Sequence, residues 1–280
     1  MHYQHRFHAG NFADVFKHLL LCGLLASLNR KDAPWAYLET HAGAGVYELE
    51  AEAQRTGEFR NGVSRLFALK TAPPPVMSYL AQLRTLNAGE LQAYPGSPWW
   101  AAAYARAQDR LILCEREPVI AADLRSCLGD DARVAIHQRD GYESLGLLPP
   151  REKRGLVLID PPFERPDEFD AVERYLAQAL QRFANGVFAI WYPYKKRFDS
   201  ERFLRRVRAS LRREALNCVL DTGAPSEGQM HACGLLIINP PFPFVNEAGP
   251  LLDYLAPQLS AGAKPRAQVE LWPAKAEKRG

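Results

Sequence analysis

This chain of 280 residues has few cysteines, little net charge and no long apolar run, and each of these disfavours a class of protein. It has five cysteines, an odd number, and no two of them form a C-x-x-C pair, so disulfide frameworks and zinc knuckles are unfavoured and a reducing cytoplasm is expected. The net charge is only +3, so any attraction for nucleic acid has to be local. The first residues are polar and histidine-rich, unlike a signal peptide. The early apolar run at 19–28 is too short to span a bilayer, so no membrane association is expected.

The stretch at 155–163, G-L-V-L-I-D-P-P-F, is the most informative in the chain. Its four consecutive branched apolar residues predict a strand that is buried on both faces, as in a parallel sheet. Proline has no N–H to donate to a neighbouring strand, so the strand has to end at Asp160. Open α/β sheets bind ligands beyond the carboxyl ends of their strands, which predicts a binding role for Asp160. The alternative interpretation is an acid that caps the next helix before a proline turn.

The end of this stretch suits recognition of an amino group. The Asp160 carboxylate and the Pro161 carbonyl only accept hydrogen bonds, and together they fit the two hydrogens of an exocyclic amine. Phe163 offers an aromatic face on which a planar base can stack. A second stretch at 235–242 ends in N-P-P-F and has the same form. Chain order favours Asp160, because a fourth strand ending at Asn239 would leave only a short helix and a tail to complete the sheet.

Seven apolar runs predict strands, at 34–39, 110–115, 133–137, 155–160, 186–191, 215–220 and 233–238. Helical patterns between them indicate an α/β fold with a doubly wound, seven-stranded sheet. Residues 46–95 interrupt this alternation with two helices, a triple proline and no strand. They predict a helical subdomain inserted after strand one, and residues 1–45 and 96–280 form the main domain. The subdomain either has a packing role or acts as a lid or a substrate grip. Ser97 is predicted to cap the helix that follows.

Glycines and acids follow the predicted strands. Gly43 and Gly45 come directly after strand one, where glycine lets a cofactor approach the backbone closely. Glu48 stands where a dinucleotide fingerprint needs its third glycine, so that motif is excluded. Glu115 ends strand two, the position of the acid that binds ribose hydroxyls in Rossmann-type folds. Asp140 ends strand three.

Four of the seven histidines lie in the first 18 residues. They are His2, His5, His8 and His18. No acid or cysteine stands at ligand spacing, so zinc is unfavoured and their spacing alone favours a solvated polar arm. Asn11 is predicted to cap a helix over 12–27.

Basic residues are dense between positions 195 and 213, which contain nine lysines and arginines but only two acids. Such a run is either a solvated helix face or a surface that contacts nucleic-acid phosphates. The predicted substrate contacts in this run are Lys195, Lys196, Arg205 and Arg206.

Several short motifs carry a resemblance to a known family. They are F-H-A-G-N-F-A-D-V-F-K-H at 7–18, H-A-G-A-G at 41–45, P-G-S-P at 95–98, C-E at 114–115, R-D-G at 139–141 and D-P-P-F at 160–163. D-P-P-F is similar to motif IV of the amino methyltransferases that use S-adenosylmethionine. In this order, from Tyr3 to Phe242, the motifs resemble the RlmJ-type adenine methyltransferases of large-subunit ribosomal RNA.

The resemblance implies a Rossmann-like class I methyltransferase fold and methyl transfer to an adenine amine of 23S ribosomal RNA, at adenine 2030. It implies that S-adenosylmethionine is contacted by His18, His41, Ser97, Glu115, Asp140, Gly141 and Asp160. It also implies that Tyr3 contacts the RNA. In the corresponding mechanism, Gly43 and Gly45 admit the methionine end of the cofactor, Asp160 and Pro161 orient the target amine, and Phe163 stacks on the base. We expect a cytoplasmic monomer that needs no metal.

Other functions share these motifs. Motif IV also occurs in DNA adenine and protein glutamine methyltransferases, and the motif alone does not separate them. A nucleic-acid-binding module that has lost catalysis is a further alternative. An intact glycine loop together with an intact Asp160 argues against that last possibility.

Overall fold

The computed structural model describes residues 5–49, 53–224 and 230–275. Their strands are β1 (Ala36–Glu39), β2 (Val46–Glu48), β3 (Ala93–Pro95), β4 (Arg110–Glu115), β5 (Val134–Gln138), β6 (Gly155–Ile159), β7 (Val187–Pro193), β8 (Ala215–Asp221), β9 (Ala232–Ile238) and β10 (Arg266–Trp272). Their α-helices are α1 (Phe12–Asn29), α2 (Val63–Phe67), α3 (Pro74–Asn87), α4 (Ser97–Tyr104), α5 (Pro118–Leu128), α6 (Glu168–Arg182), α7 (Arg197–Ser210) and α8 (Phe242–Gln258).

The main sheet runs in the order β10-β8-β9-β7-β6-β1-β4-β5. From β7 to β5 neighbouring strands are parallel, whereas β9 is antiparallel to both β7 and β8. Alternate residues of the central strands enter two cores: Tyr37 and Leu156 face one, and Leu38 and Val157 face the other. Helices α1, α4 and α8 cover the first core, and α6 and α7 cover the second. The predicted α/β fold with a mostly parallel sheet is confirmed.

The prediction of seven strands in the main sheet was wrong, because among the described residues the sheet has eight. The additional strand is β10, which pairs antiparallel with β8 in a region expected to hold only a tail. β10 is an edge strand, and its charged and polar residues weaken the apolar signal. Ala267 and Val269 nevertheless alternate with them and pack against the core. That alternation was the signal that sequence reasoning overlooked.

The segment 46–95 contains a short pair of strands that its sequence did not predict. β2 pairs antiparallel with β3, with Val46 opposite Pro95, and so brings the two ends of the segment together. Strands of three residues are too short to show a periodic pattern, which is why they escaped prediction. Helices α2 and α3 lie between them. The division of the chain into a main domain and an inserted subdomain stays a prediction.

Helix α1 lies inside the protein. Asn11 caps it as predicted, since its side chain accepts hydrogen bonds from the amides of Ala13 and Asp14. By length and composition α1 could cross a membrane, but 78% of it is buried within the protein. It packs against α3, α4 and α8. This is the environment of a core helix.

Candidate active site

Asp160 follows β6, which lies between β1 and β7 in the parallel part of the sheet. The carboxyl ends of these three strands therefore meet at one edge. The Asp160 side chain is 15% exposed, so it is sheltered and still accessible. The predicted position of this carboxylate, at the end of a middle strand, agrees with the structure.

Lys17 contacts Asp160, and sequence reasoning did not select it. Its Nζ lies 2.6 Å from Asp160 Oδ2 and 3.1 Å from Asp14 Oδ1. The Lys17 side chain is only 7% exposed, and two carboxylates compensate the cost of burying its charge. A lysine on an otherwise buried apolar helix was the available signal. Its partner Asp160, 143 residues away, was not visible in the sequence.

Asp14 joins this charged cluster to the N-terminal segment. Its Oδ2 accepts a hydrogen bond from the Gly10 amide at 3.0 Å and lies 3.0 Å from His5 Nε2. Burial would raise the pKa of Asp14, but His5 and Lys17 hold it well below its ordinary value. Asp14 is therefore ionised at neutral pH.

The glycine loop after β1 meets the acid at the end of β4. Gly43 N donates to Glu115 Oε2 at 2.9 Å, and both Gly43 and Gly45 have left-handed backbones, with φ of 69° and 88°. A Cβ atom at Gly43 would lie 2.2 Å from the Tyr47 hydroxyl oxygen, so glycine is required there. The structure thus brings three of the predicted cofactor contacts together.

Two further predicted contacts follow β5. Asp140 caps the 3-10 helix Gly141–Leu147 by accepting from the Tyr142 amide at 2.9 Å. A Cβ at Gly141 would lie 1.9 Å from the Thr40 carbonyl oxygen, so this turn packs directly on the end of β1. It lies beside His41, whose ring contacts the Tyr142 ring edge-on at 5.2 Å.

The His41 imidazole is neutral at physiological pH. Burial lowers its pKa to about 4, although the charges of Asp160 and Asp140 both act to raise it. His41 follows β1, the neighbour of β6, and its ring contacts Tyr142 after β5, so it lies between the end of β6 and the end of β5. His41 Nδ1 shares a hydrogen bond of 2.8 Å with the Thr40 hydroxyl, so only Nε2 of the neutral ring can bond to a further group.

Ser97 has a different local role from the one predicted. Gly96 is the N-cap of α4, and Ser97 is its first helical residue. The Ser97 hydroxyl instead donates to Glu39 Oε1 at 2.5 Å, and Tyr37 donates to the other carboxylate oxygen at 2.8 Å. Glu39 is fully buried, and this burial raises its pKa to about 8 in spite of both hydrogen bonds.

His18 is fully buried in the core below the site. Its Nδ1 shares a hydrogen bond of 2.8 Å with the Tyr94 hydroxyl, and burial keeps its pKa well below the ordinary value. Among the described residues none offers a hydrogen-bond partner to its Nε2. One buried polar atom is therefore left available for a bound group.

Phe163 adopts a left-handed backbone with φ of 49°, an uncommon conformation for an aromatic residue. Its ring packs against Phe169 at 4.8 Å and edge-on against Trp191 at 5.8 Å. Lys195 Nζ lies 3.5 Å from the Phe163 carbonyl oxygen. The turn after Asp160 is thus held by an aromatic cluster and reached by a cation from the end of β7.

The second N-P-P-F stretch lies at the opposite edge of the sheet. β9 is antiparallel to β7, so its carboxyl end lies beside the amino end of β7. The Asn239 side chain donates to the carbonyls of Ala184 and Gly186 at 3.0 and 2.8 Å. Asn239 therefore stabilises the loop before β7 through these hydrogen bonds and lies away from the site around Asp160.

The predicted substrate contacts are separated by the structure. Lys195 and Lys196 stand at the carboxyl end of β7, near the site, whereas Arg205 and Arg206 lie farther along α7. Arg206 is ion-paired with Asp170 at 2.6 Å and with Glu173 at 2.9 Å. Tyr3 lies outside the described residues. Within the part of the chain that the structure describes, no group of histidine, cysteine or acidic residues could hold a metal ion.

Comparison with known proteins is consistent with this geometry. The family model for ribosomal RNA large subunit methyltransferase D, RlmJ, matches residues 32–272. Ribosomal RNA large subunit methyltransferase J from Haemophilus influenzae is 38% identical, over 92% of this chain and 93% of that protein. The protein of the same name from Escherichia coli is also 38% identical, over 95% of this chain and 97% of that protein.

A solved structure shares the fold over nearly the whole chain. The crystal structure of a Legionella pneumophila protein is 36% identical, with a TM-score of 0.87, over 95% of this chain and 98% of that one. This chain belongs to the RlmJ family of ribosomal RNA large subunit methyltransferases.

Proposed function

We propose that this protein transfers a methyl group from S-adenosylmethionine to the exocyclic N6 amine of an adenine in 23S ribosomal RNA, at adenine 2030. The observation that carries the proposal is the Asp160 carboxylate at the end of the middle strand, beside the aromatic Phe163. The names of the two bacterial relatives support large-subunit RNA as the substrate.

The residues around the glycine loop fit the cofactor. Gly43 and Gly45 have left-handed backbones, and Tyr47 and Cys127 fill the space that a Cβ would take at each, so only glycine gives the loop this shape. The Glu115 oxygens accept from the amides of Gly43 and Glu117, and each has a further lone pair for a ribose hydroxyl. The unpartnered Nε2 of His18 can take one more polar group. When bound, S-adenosylmethionine supplies an electrophilic methyl group on its sulfonium.

Residues of the chain position the other reactant. Lys17 occupies Asp160 Oδ2, which leaves Oδ1 and the Pro161 carbonyl to accept the two hydrogens of the adenine amine. This orientation directs the nitrogen lone pair toward the methyl group, while Phe163 stacks on the base. Positioning of this kind, with dipoles fixed before the reaction, supplies most of the rate acceleration. The target adenine has to be unpaired or flipped out of its helix to reach the site.

A methyl-transfer assay on unmodified 23S ribosomal RNA tests the proposal. We expect one N6-methyladenine per RNA with the wild type and at least about a hundredfold less activity with Asp160→Ala and with the isosteric Asp160→Asn. Phe163→Ala should weaken catalysis, while Phe242→Ala, at the opposite edge of the sheet, should not. Circular dichroism checks the folding of each variant.

The same assay separates the alternative substrates. A DNA strand of the same sequence and a glutamine-containing peptide are tested in parallel with the RNA. Methylation of either one, with none of the RNA, would contradict the proposed substrate. Full activity of Asp160→Ala on RNA would contradict the proposed site.

A further inference from the structure

An exposed aromatic residue stands beside the candidate active site. The exposed large hydrophobic side chains of the described residues are those of Val119, Phe198, Phe242 and Leu271. Two of the four are aromatic, and Phe198 is 65% exposed in the first turn of α7. Because α7 follows β7, Phe198 lies toward the carboxyl edge of the sheet, where Asp160 is also found. Phe242 follows the antiparallel β9 and lies at the other edge.

Phe198 begins a ridge along the exposed side of α7. Arg202 and Arg205 follow it at positions i+4 and i+7, which share one helix face. Both are exposed, while Phe203 and Val207 are buried on the opposite side of the helix. At 1.5 Å per residue, the ridge formed by Phe198, Arg202 and Arg205 is roughly 10 Å long.

The described acids near the ridge pair with other arginines of α7 and not with Arg202 or Arg205. Arg197 pairs with Glu201, Arg206 with Asp170 and Glu173, and Arg208 with Glu270. For Arg202 and Arg205 the structure shows no ion pair with any acid of the described residues. Two unneutralised guanidinium groups therefore follow an exposed aromatic ring on one face.

This ridge is continuous with the proposed substrate site. Lys196 is the N-cap of α7, and the adjacent Lys195 reaches the Phe163 carbonyl at 3.5 Å. A nucleic-acid strand whose target base entered beside Phe163 would leave over these two lysines. The ridge begins at Phe198, two residues after Lys196, and is therefore the next part of α7 that neighbouring nucleotides would meet.

We propose that the ridge binds the single-stranded RNA next to the target adenine, with one flanking base stacked on Phe198 and phosphates bound by Arg202 and Arg205. An aromatic platform beside cations is the chemistry that recognises single strands, because every base has a face that can stack. This assignment rests on the proposed function for its choice of RNA. It adds a contact outside the site that holds the reacting base.

Binding and kinetics of matched variants test the ridge. Fluorescence anisotropy measures the affinity of two labelled probes, an unmodified 23S fragment that contains the target and a single-stranded adenosine 12-mer. Loss of one stacked base weakens binding roughly 5- to 150-fold, so we expect that loss for Phe198→Ala. Phe198→Trp should restore the affinity. Phe242→Ala, which removes a still more exposed aromatic residue at the other edge, should leave the affinity unchanged.

Charge and turnover give two further readouts. The double variant Arg202→Gln/Arg205→Gln should reduce the slope of log affinity against log salt by about 1.4, about 0.7 for each phosphate contact to a single strand. Arg30→Gln, an exposed arginine that is ion-paired with Glu247 and precedes β1, is its control. In methyl transfer, Phe198→Ala should raise KM and leave kcat unchanged.

The outcomes separate this proposal from the proposed function. If Phe198→Ala binds both probes as tightly as the wild type does, the proposed role of the ridge is wrong, whether or not the enzyme methylates RNA. If the wild type methylates RNA and Phe198→Ala has the same affinity and KM, the proposed role of the ridge is wrong and the proposed function stands. A wild type that binds the probes through Phe198 but never methylates RNA would contradict the proposed function alone.

Discussion

At the scale of single residues, the charge of Asp160 is balanced by a buried ammonium group. Lys17 lies between Asp160 and Asp14, and its Nζ is within 3.1 Å of both carboxylates. Placing an ion in a low-dielectric environment costs several kcal/mol, and the paired carboxylates offset that cost. The position of α1 is thereby coupled to the chemistry at the end of β6.

Replacement of Lys17 by methionine tests this coupling. Lys17→Met keeps the length of the side chain but takes the ammonium group from Asp160 and leaves Asp14 with His5 alone, so we expect a loss of about 3–5 kcal/mol in the free energy of unfolding. Methyl transfer should also fall sharply. Equilibrium denaturation in urea measures the first effect, and the methyl-transfer assay measures the second.

A double variant distinguishes charge balance from catalysis. Lys17→Met/Asp160→Asn also removes the charge of Asp160 and should recover part of the lost stability without recovering activity. A Lys17→Met protein as stable and as active as the wild type would show that the ion pair has no role.

At the scale of elements, the N-terminal segment 5–11 is fastened to the segment 46–95. Glu58 accepts hydrogen bonds from His8 Nδ1 at 2.8 Å and from Asn11 Nδ2 at 3.0 Å. The Val63 amide donates to the Gly10 carbonyl at 2.8 Å, and the Thr56 hydroxyl donates to the Phe7 carbonyl. One role of the segment 46–95 is therefore to hold the residues that lead into α1 and its Lys17.

This attachment should depend on pH. The hydrogen bond to Glu58 raises the pKa of His8 above 6.5, so its contribution is complete below pH 6.5 and is lost as the pH rises through the raised value. Burial opposes the shift of Glu58, but His8 and Asn11 lower its pKa below 4.5. The contribution of Glu58 is present above pH 4.5 and is lost as the pH falls through the lowered value. The N-terminal segment should be held most firmly between about pH 4.5 and 6.5.

Hydrogen exchange of the amides at 5–11 measures this dependence. We expect slower exchange relative to the intrinsic rate at pH 6 than at pH 8, because His8 loses its charge as the pH rises through its raised pKa. His8→Gln keeps a donor to Glu58 but cannot gain or lose a proton there, so the protection of the segment should change less between the two pH values than in the wild type. Equal pH dependence in the variant and the wild type would rule out His8 as the cause.

At the scale of the whole molecule, the sheet has to be protected at its antiparallel end. β10 covers β8 over seven residues, from Arg266 opposite Asp221 to Trp272 opposite Ala215. Trp272 is 4% exposed, packs in the second core and carries the Arg208 guanidinium over its ring at 5.0 Å. Without β10, the nearly all-buried β8 would become an exposed edge.

Truncation tests the protective role of β10. A chain that ends at Gly262 lacks β10, so we expect a lower melting temperature and association through the uncovered β8. A chain that ends at Lys275 keeps β10 and should behave like the full-length protein. Size-exclusion chromatography and thermal melting of both chains measure the difference. A monomeric, equally stable chain ending at Gly262 would contradict the expectation.

The sequence by itself determined the local features of this protein. The apolar runs placed seven of the strands, Asn11 identified the start of α1, and the prolines after Asp160 set the end of β6. The motifs at 7–18 and 160–163 identified the family. These features follow from the periodicity of apolar side chains, helix capping and the missing N–H of proline. All three act within a few residues, so they can be predicted from the sequence.

Only the tertiary structure decided which distant groups meet. It paired Lys17 with Asp160 and added β10 to the sheet. It also neutralised Arg206, whereas no acid among the described residues pairs with Arg202 or Arg205. It also placed Asp160 and Asn239 at opposite edges, although both end an apolar strand before two prolines and a phenylalanine. Strand direction makes that difference: β6 runs parallel to β7 and β9 runs against it, and direction is a property of the assembled sheet that no local pattern specifies.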